Sequence, residues 1–200
     1  MHTKVDLIGS NGTIGKVISE YLESQGVIVR KITRKPSVDS LVFSDYLTVT
    51  KNELIIDVSL MSIQNSLDLR QSLENSKSRL IHMSSVSVFH DNNQYGQYKR
   101  SIYRALHGYE NSEIYFGDVF EGNGKILGFW KKLNTSSTWI YSFRSVRLFN
   151  IEHLCECLLN EKRYNPEIIK TRSIKKSLVS IIFKTRLFKI LNLLGIYVVK

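Results

Sequence analysis

The feature that most constrains the fold is a strand, a glycine-rich turn and a helix at the start of the chain. Lys4-Val-Asp-Leu-Ile8 is a short, mostly apolar run that predicts a β-strand. It leads into Gly9-Ser-Asn-Gly12-Thr-Ile-Gly15. The apolar residues that follow recur at intervals of three and four, which predicts a helix over Ile14, Val17, Ile18, Tyr21 and Leu22. A strand, a glycine turn and a helix in this order are typical of α/β domains with a parallel sheet.

The turn itself predicts a binding site for the pyrophosphate of a dinucleotide. Gly9 permits the tight turn, Gly12 lets the backbone approach a pyrophosphate, and Gly15 lets the helix pack close to the sheet. Backbone N–H groups at the start of the helix are then available to phosphate oxygens. The predicted cofactor-binding residues of the turn are Gly9, Asn11, Gly12, Thr13, Ile14 and Gly15. The alternative is a glycine-rich turn that binds no ligand.

The second predicted strand, Val27–Ile32, bears on which dinucleotide is bound. In such folds an acid at the end of this strand binds a ribose 2′-hydroxyl, whereas an arginine accommodates a 2′-phosphate. Here the strand runs into Thr33-Arg34-Lys35-Pro36, and the first acid is Asp39. Arg34 and Lys35 are therefore predicted to bind the cofactor and to favour NADP over NAD. The alternative is a solvated basic turn.

The next segments alternate between predicted strands and helices. Val42–Val49 and Leu54–Ser59 are both predicted strands, but the four residues between them are too few for a crossover helix. Either the first is a short edge strand or the layout is trimmed. Leucines within 64–76 predict a short helix before a strand at 79–84. This alternation predicts a doubly wound, mostly parallel α/β sheet of the Rossmann type.

Candidate catalytic residues follow the strand at 79–84. That strand ends in Ser84-Ser85, and Tyr95-Gly-Gln-Tyr-Lys99 opens a helical pattern shortly afterwards. Residues four apart lie on one helix face, so Tyr95 and Lys99 can share a site. An ammonium group near a phenol favours the phenolate and lowers its pKa, and the helix N-terminus acts in the same direction. Tyr95 could then transfer a proton while Ser85 holds a substrate oxygen, although chance alone produces about one such Tyr–Lys spacing in a chain like this.

Together these motifs resemble the extended short-chain dehydrogenase/reductase superfamily, the NAD-dependent epimerase/dehydratase family. The glycine turn, Ser85 followed by Val-Ser-Val-Phe, and Tyr95-x-x-x-Lys99 match the order of its motifs. The segments 114–122 and 150–154 are similar to its later strand-and-loop and helix-opening segments. The resemblance covers about residues 4–160.

The resemblance implies an NAD(P)-dependent oxidoreductase or epimerase that acts on a nucleotide sugar, in surface polysaccharide biosynthesis. It implies Ser85, Tyr95 and Lys99 as catalytic residues, with Lys99 also holding the nicotinamide ribose. The predicted cofactor-binding set is completed by Ser59, Tyr95, Lys99 and Phe116. It also implies pairing into a homodimer through the helix that carries Tyr95 and Lys99.

The chain departs from the family pattern in the strand near residue 115. Tyr115 stands where the family has arginine, Phe116 where it has proline, and Asp118 where it has asparagine. The chain is also shorter than typical members, mainly in the middle of the sheet and in the substrate lobe. The alternative function is therefore a non-catalytic dinucleotide-binding or partner protein of the same fold.

The formal net charge of +10 is concentrated in the last forty residues, which hold ten Lys or Arg and two Glu. We predict a domain over 1–160 and a basic helical extension over 161–200. Within 173–199, no uncharged run reaches the roughly 20 residues of a membrane span. The favoured interpretation is a helix pair with lysines along its surface, and the alternative is a weak contact with an anionic membrane surface. No motif for reading bases is present, so no nucleic-acid partner is expected.

Cysteine and histidine usage predicts neither a disulfide framework nor a metal site. Cys155 and Cys157 are too few and too close for such a framework, and they lack the partners of a zinc site. The five histidines show no metal-ligand spacing. Met1 to Lys4 leads straight into a strand, so no secretory signal is expected. A cytoplasmic location is therefore predicted, peripheral to the inner face of the membrane if the basic extension binds lipid.

Overall fold

The chain forms two compact units, the first from residues 1–117 and 151–164 and the second from 118–150 and 165–200. A computed structural model describes residues 3–85, 87–90, 94–117, 119–122, 125–126, 139–142, 146–169, 187 and 196–199. The predicted boundary between residues 160 and 161 stays a prediction.

A six-stranded sheet is the centre of the first unit. Its strands are β1 Lys4–Ile8, β2 Ile28–Thr33, β3 Leu41–Val42, β4 Leu54–Asp57, β5 Arg79–Ser85 and β6 Ser112–Gly117. All neighbouring pairs are parallel, in the order β3-β2-β1-β4-β5-β6. This is the strand order of the Rossmann fold. The predicted α/β, doubly wound, parallel sheet is therefore confirmed.

Six described helices accompany these strands. They are α1 Thr13–Ser24, α2 Phe43–Tyr46, α3 Ile63–Leu73, α4 Ser87–His90, α5 Gln94–His107 and α6 Ile151–Leu159. From β1 the chain crosses to β2, towards the β3 edge of the sheet, and from β4 it crosses to β5, towards the β6 edge. Right-handed crossovers therefore place α1 on one face of the sheet and α3 and α5 on the opposite face. The predicted helices after the glycine turn, at 64–76 and from Tyr95 are present with small shifts in their ends.

One hydrophobic core cluster lies between the sheet and the α3 and α5 helices. Leu80 of β5 lies beside Ile55 of β4, and both belong to one cluster with Ile102 and Leu106 of α5. Residues two apart on a strand point to the same face. The face that carries Ile55 and Leu80 therefore also carries Asp57 and His82, two residues further along β4 and β5. This alternation sets polar groups beneath α5 at the carboxyl end of the sheet.

The strand predicted over Val42–Val49 is wrong beyond its first residue. Only Leu41–Val42 pairs with β2, and Phe43–Tyr46 is a turn of helix. Phe43 and Tyr46 are three residues apart and both are buried, which fits a helical rather than an alternating pattern. The Tyr46 hydroxyl donates a hydrogen bond to Asp6 at 2.9 Å. The alternative of a short edge strand is the one that the structure supports.

The second unit contains two small sheets. Its described strands are β7 Val119–Gly122, β8 Lys125–Ile126, β9 Trp139–Ser142, β10 Val146–Asn150, β11 Glu167–Ile169 and β12 Ile196–Val199. One sheet has the order β11-β10-β7-β8, and β12 pairs with β9 in the other. Glu167–Ile169 and Ile196–Val199 are thus strands, so the extension predicted to be helical over 161–200 is wrong in these two segments. The rest of 173–195, apart from Leu187, lies outside the described residues.

Candidate active site

The glycine turn between β1 and α1 is a close approach of three backbone segments. Gly9 has φ +89°, a left-handed conformation that favours glycine, and a Cβ there would lie 3.0 Å from Ser59. A Cβ on Gly15 would collide with the carbonyl oxygen of Gly9 and would lie 2.8 Å from Cα of Ser10. The Gly12 amide donates to the Gly9 carbonyl at 2.9 Å. The turn therefore leaves no room for side chains at Gly9 and Gly15, as the sequence predicted.

The N-terminus of α1 is available to an anion. Gly12 is its N-cap in an extended conformation, and no side chain caps it within the described chain. The first helical amides have no intrahelical acceptor, so they remain donors for an external oxygen. Asn11, Gly12 and Thr13 are exposed and Ile14 is half-buried. These predicted residues thus form an accessible rim at the carboxyl end of β1.

Ser59 lies against this turn because Asp57 holds it there. The Asp57 Oδ1 atom accepts hydrogen bonds from the Ser59 backbone N–H at 2.9 Å and from its hydroxyl at 2.7 Å. The neighbouring Val58 amide donates to the Ile8 carbonyl at 3.0 Å. The predicted cofactor residue Ser59 therefore shares one edge of the sheet with Gly9.

The predicted basic residues Arg34 and Lys35 are exposed just beyond β2. The Thr33 hydroxyl donates to the Lys35 carbonyl at 2.7 Å and lies 2.8 Å from the Ser40 hydroxyl, which fixes the turn. Because β2 lies beside β1, this turn is at the same sheet edge as the glycine turn. No acid occurs between Thr33 and Asp39.

The α5 helix brings Tyr95 and Lys99 together, as their spacing predicted. The Lys99 Nζ atom lies 5.8 Å from the centroid of the Tyr95 ring. Tyr95 is 45% exposed, whereas Lys99 is only 4% exposed. Burial lowers the pKa of Lys99, and the charge of Asp57 opposes this by raising it. Ser85 is the last residue of β5, at the same carboxyl edge of the sheet.

Phe116 belongs to an aromatic cluster beside these residues. It lies opposite Ser84 in the sheet register. Its ring centroid is 4.7 Å from that of Phe89 and 5.7 Å from that of Tyr103. Contact between Phe116 and a cofactor stays a prediction, as do the roles of the other predicted site residues.

A buried polar pair in this region was not predicted from the sequence. His82 Nδ1 lies 2.6 Å from Asp57 Oδ2, and both side chains are fully buried. His82 Nε2 and the hydroxyl of Ser84 are buried without a hydrogen-bond partner among the described residues. The signal in the sequence was an acid and a histidine inside otherwise apolar strands. Polar groups are rarely buried there without a partner or a role.

A cavity of about 840 Å³ lies at the opposite, amino end of the sheet. It is lined by Glu53, Lys77, Arg79, Glu113, Ile114, Tyr115, Glu161 and Arg163. None of these is a predicted site residue, and ligands of doubly wound sheets bind at the carboxyl ends of the strands. We therefore place the candidate active site at the carboxyl end.

No group of three or more metal-ligating side chains occurs among the residues that the structure describes. Cys155 and Cys157 are buried free thiols, and burial raises the pKa of Cys155. In the described part of the chain, no helix combines the length and apolarity needed to cross a membrane.

No protein-family model matches the sequence, and neither does any curated protein. Several solved structures share the fold. One is the Bordetella bronchiseptica enzyme WbmH in complex with NAD+, at 12% identity, with a TM-score of 0.58 over 80% of this chain and 72% of that one. Another is human epimerase family protein SDR39U1 (isoform 2) with NADPH, at 11% identity, with a TM-score of 0.59 over 98% and 90%.

A third similar structure is the Bordetella bronchiseptica enzyme WbmG in complex with NAD and UDP. It is 11% identical, with a TM-score of 0.57 over 88% of this chain and 73% of that one. At these identities the likeness establishes the fold and leaves the chemistry to be argued from the residues.

Proposed function

We propose that this chain is an NAD(P)-dependent oxidoreductase or epimerase that acts on a nucleotide sugar in surface polysaccharide biosynthesis. The observation that carries the proposal is that the glycine turn at Gly9 and the Tyr95–Lys99 pair lie at the same edge of one parallel sheet. Similar structures contain NAD+, NADPH, or NAD with UDP, which supports a dinucleotide cofactor and a nucleotide-linked substrate.

The residues at the turn fit a dinucleotide. A pyrophosphate needs close approach of the backbone and free amide donors, and Gly9, Gly15 and the uncapped start of α1 provide both. Arg34 and Lys35 provide positive charge where a 2′-phosphate would lie, so NADP is the favoured cofactor. A bound nicotinamide would supply or accept the hydride.

The protein's own residues would handle the proton. Tyr95 is exposed enough to meet a substrate hydroxyl or carbonyl and is the proposed general acid or base. Lys99 lies beneath it and, when protonated, favours the phenolate. Ser85 is proposed to hold the substrate oxygen, and Lys99 also to hold the nicotinamide ribose.

The experiment is a comparison of Tyr95→Phe with wild type in NADPH binding and in turnover of UDP- and dTDP-linked sugars. We expect Tyr95→Phe to bind NADPH within a few-fold of wild type and to lose about 10²-fold or more in kcat. Tyr103→Phe is the matched control on the same helix, because its ring packs on Phe116 and His107. It should keep wild-type turnover.

A second candidate function is a non-catalytic dinucleotide-binding or partner protein. The observation that favours it is Phe116, whose bulky ring stands at the family's proline position and packs against Phe89. NADPH binding without turnover of any sugar nucleotide would support this candidate. Absence of NADPH and NADH binding would contradict both candidates.

We further propose a cytoplasmic location, which fits the two buried free thiols. We also propose that the chain forms a homodimer. The helix with Tyr95 and Lys99 is the proposed dimer contact. Sedimentation of full-length protein with anionic vesicles tests the alternative for 173–199. Binding that persists after deletion of 173–200 would contradict a membrane contact through that segment.

A further inference from the structure

Asp57 is a buried carboxylate without a direct Lys or Arg partner among the described residues. Its side chain is fully buried and accepts hydrogen bonds from Ser59 on Oδ1 and from His82 on Oδ2. A buried ionised carboxylate is costly unless a positive charge compensates it. A cation that compensates the charge of Asp57 is therefore expected nearby.

His82 is poorly suited to supply that charge. Its Nδ1 faces the carboxylate and so carries a proton, whereas Nε2 has no partner among the described residues. An imidazolium would bury a second N–H donor with no acceptor there. The geometry fits a neutral ring that orients Asp57 and leaves its negative charge to act on another group.

Lys99 is the cation in the right place. On α5 it lies three residues before Ile102 and seven before Leu106, on the stripe that packs against Leu80 and Ile55. Because α5 connects two parallel strands, it runs opposite to them. One turn back from Ile102 to Lys99 therefore corresponds to the step along the strands from Leu80 to His82 and from Ile55 to Asp57.

The electrostatics agree with this placement. Burial lowers the pKa of Lys99, and the charge of Asp57 raises it. Burial raises the pKa of Tyr98, and the charge of Asp57 acts in the same direction. The Tyr98 hydroxyl donates to the Met61 carbonyl. The described titratable groups around the pair are Arg34, Tyr46, His82, Tyr95 and Tyr98.

We propose that Asp57, held in place by His82 and Ser59, is the counter-ion that keeps Lys99 protonated. Asp57 and His82 are then positioning residues that act on Tyr95 through Lys99. This catalytic consequence rests on the proposed function, whereas the counter-ion relation does not, because Lys99 can be titrated without cofactor or substrate.

The experiment is a pH titration of Lys99 in full-length protein labelled with 13Cε-lysine, with the signal assigned through Lys99→Met. Asp57→Asn keeps the shape of the side chain and removes its charge. We expect the Lys99 midpoint to fall by about one pH unit or more, so about tenfold more of the amine is uncharged at a fixed pH below the midpoint. Asp6→Asn is the matched control, because Asp6 is equally buried but paired with Arg30, and it should leave the midpoint unchanged.

Two variants of His82 keep the proposal falsifiable if Asp57→Asn does not fold. His82→Leu removes the donor to Asp57, and the Lys99 midpoint should fall. His82→Asn retains a donor, and the midpoint should return toward that of wild type. Equal midpoints in wild type, folded Asp57→Asn and His82→Leu would overturn the proposal.

Enzyme kinetics separate this proposal from the proposed function. If wild type turns over a nucleotide sugar, Asp57→Asn should lower kcat about tenfold or more and shift the pH profile, with a small change in the KM for cofactor. If no substrate is turned over but Asp57→Asn moves the Lys99 midpoint, the proposed function fails and the counter-ion stands. If wild type is active and the midpoint does not move, only the counter-ion fails.

Discussion

Two buried carboxylates of the parallel sheet have different surroundings. Asp6, the central residue of β1, accepts two hydrogen bonds from Arg30 at 2.7 Å, one from Tyr46 and two from Asn52. Asp57, at the carboxyl end, accepts hydrogen bonds only from Ser59 and His82 among the described residues. Both side chains are fully buried.

The difference separates a carboxylate whose charge is fully compensated and stabilises the fold from a carboxylate whose charge can act in chemistry. At Asp6 the charge is neutralised by a bidentate guanidinium and every oxygen is occupied, which stabilises one arrangement of β1, β2 and α2. At Asp57 the charge is left to act on Lys99. Incompletely compensated charges in a cleft are typical of functional sites.

The largest expected effect is on the Asp6–Arg30 ion pair. Arg30→Met leaves Asp6 buried without its cation and should lower the free energy of unfolding by about 3 kcal/mol, measured by urea denaturation. Lys31→Met, the neighbouring residue on β2, breaks an exposed pair with Glu23 and should cost less than about 1 kcal/mol. Equal losses of unfolding free energy in the two variants would contradict the larger contribution expected from the buried Asp6–Arg30 pair.

Next in size is the effect of filling the glycine turn. Gly15→Ala places a methyl group against the Gly9 carbonyl and should cost about 1–3 kcal/mol of unfolding free energy. We also expect the Kd for NADPH to rise at least about tenfold, measured by fluorescence titration, because the glycine turn proposed to bind the pyrophosphate must move. Gly26→Ala is the control: its φ of +77° makes alanine cost about 1 kcal/mol, but its Cβ meets no atom and NADPH binding should not change.

A smaller effect is expected from the exposed basic turn. Arg34→Ala should weaken NADPH binding about tenfold and leave NADH binding unchanged, since only the 2′-phosphate distinguishes the two ligands. Lys77→Ala, a basic residue at the amino end of the sheet, should change neither affinity. A parallel loss of NADH affinity in Arg34→Ala would contradict the preference for NADP.

The smallest effect is expected at the partly exposed Arg79–Glu113 pair of the amino end. The Arg79 guanidinium, at 2.7 Å, lowers the pKa of Glu113 below its ordinary value. This stabilisation is present above the ordinary carboxyl pKa and is lost as pH falls through the lowered one. Glu113→Gln should therefore cost less than about 1 kcal/mol at pH 7 and nothing in strong acid, measured by thermal unfolding across pH.

Local patterns were sufficient to predict the parts of the fold that depend on neighbours in sequence. The β1 strand, the glycine turn and α1 follow one another directly, and Tyr95 and Lys99 are one helical turn apart. The strand predicted over Val42–Val49 failed because Tyr46 reaches a tertiary partner, Asp6, through a helical turn. The pattern of apolar residues within the segment cannot show that Tyr46 contacts Asp6.

The Asp57–His82 pair could not be predicted because it depends on strand register. The two residues are 25 positions apart and become neighbours only when β4 and β5 pair as Asp57 opposite His82. Shifting the register by one residue would turn either side chain to the other face. Sequence alone showed only an acid and a histidine within apolar runs.

That register has an evolutionary consequence. Replacing either Asp57 or His82 alone strands the other's polar group in the core, so single steps away from the pair carry a penalty that a joint replacement avoids. Sequences that descend from this one should therefore change the two residues together. A descendant that lacks both Asp57 and His82 would also lack the negative charge beneath Lys99.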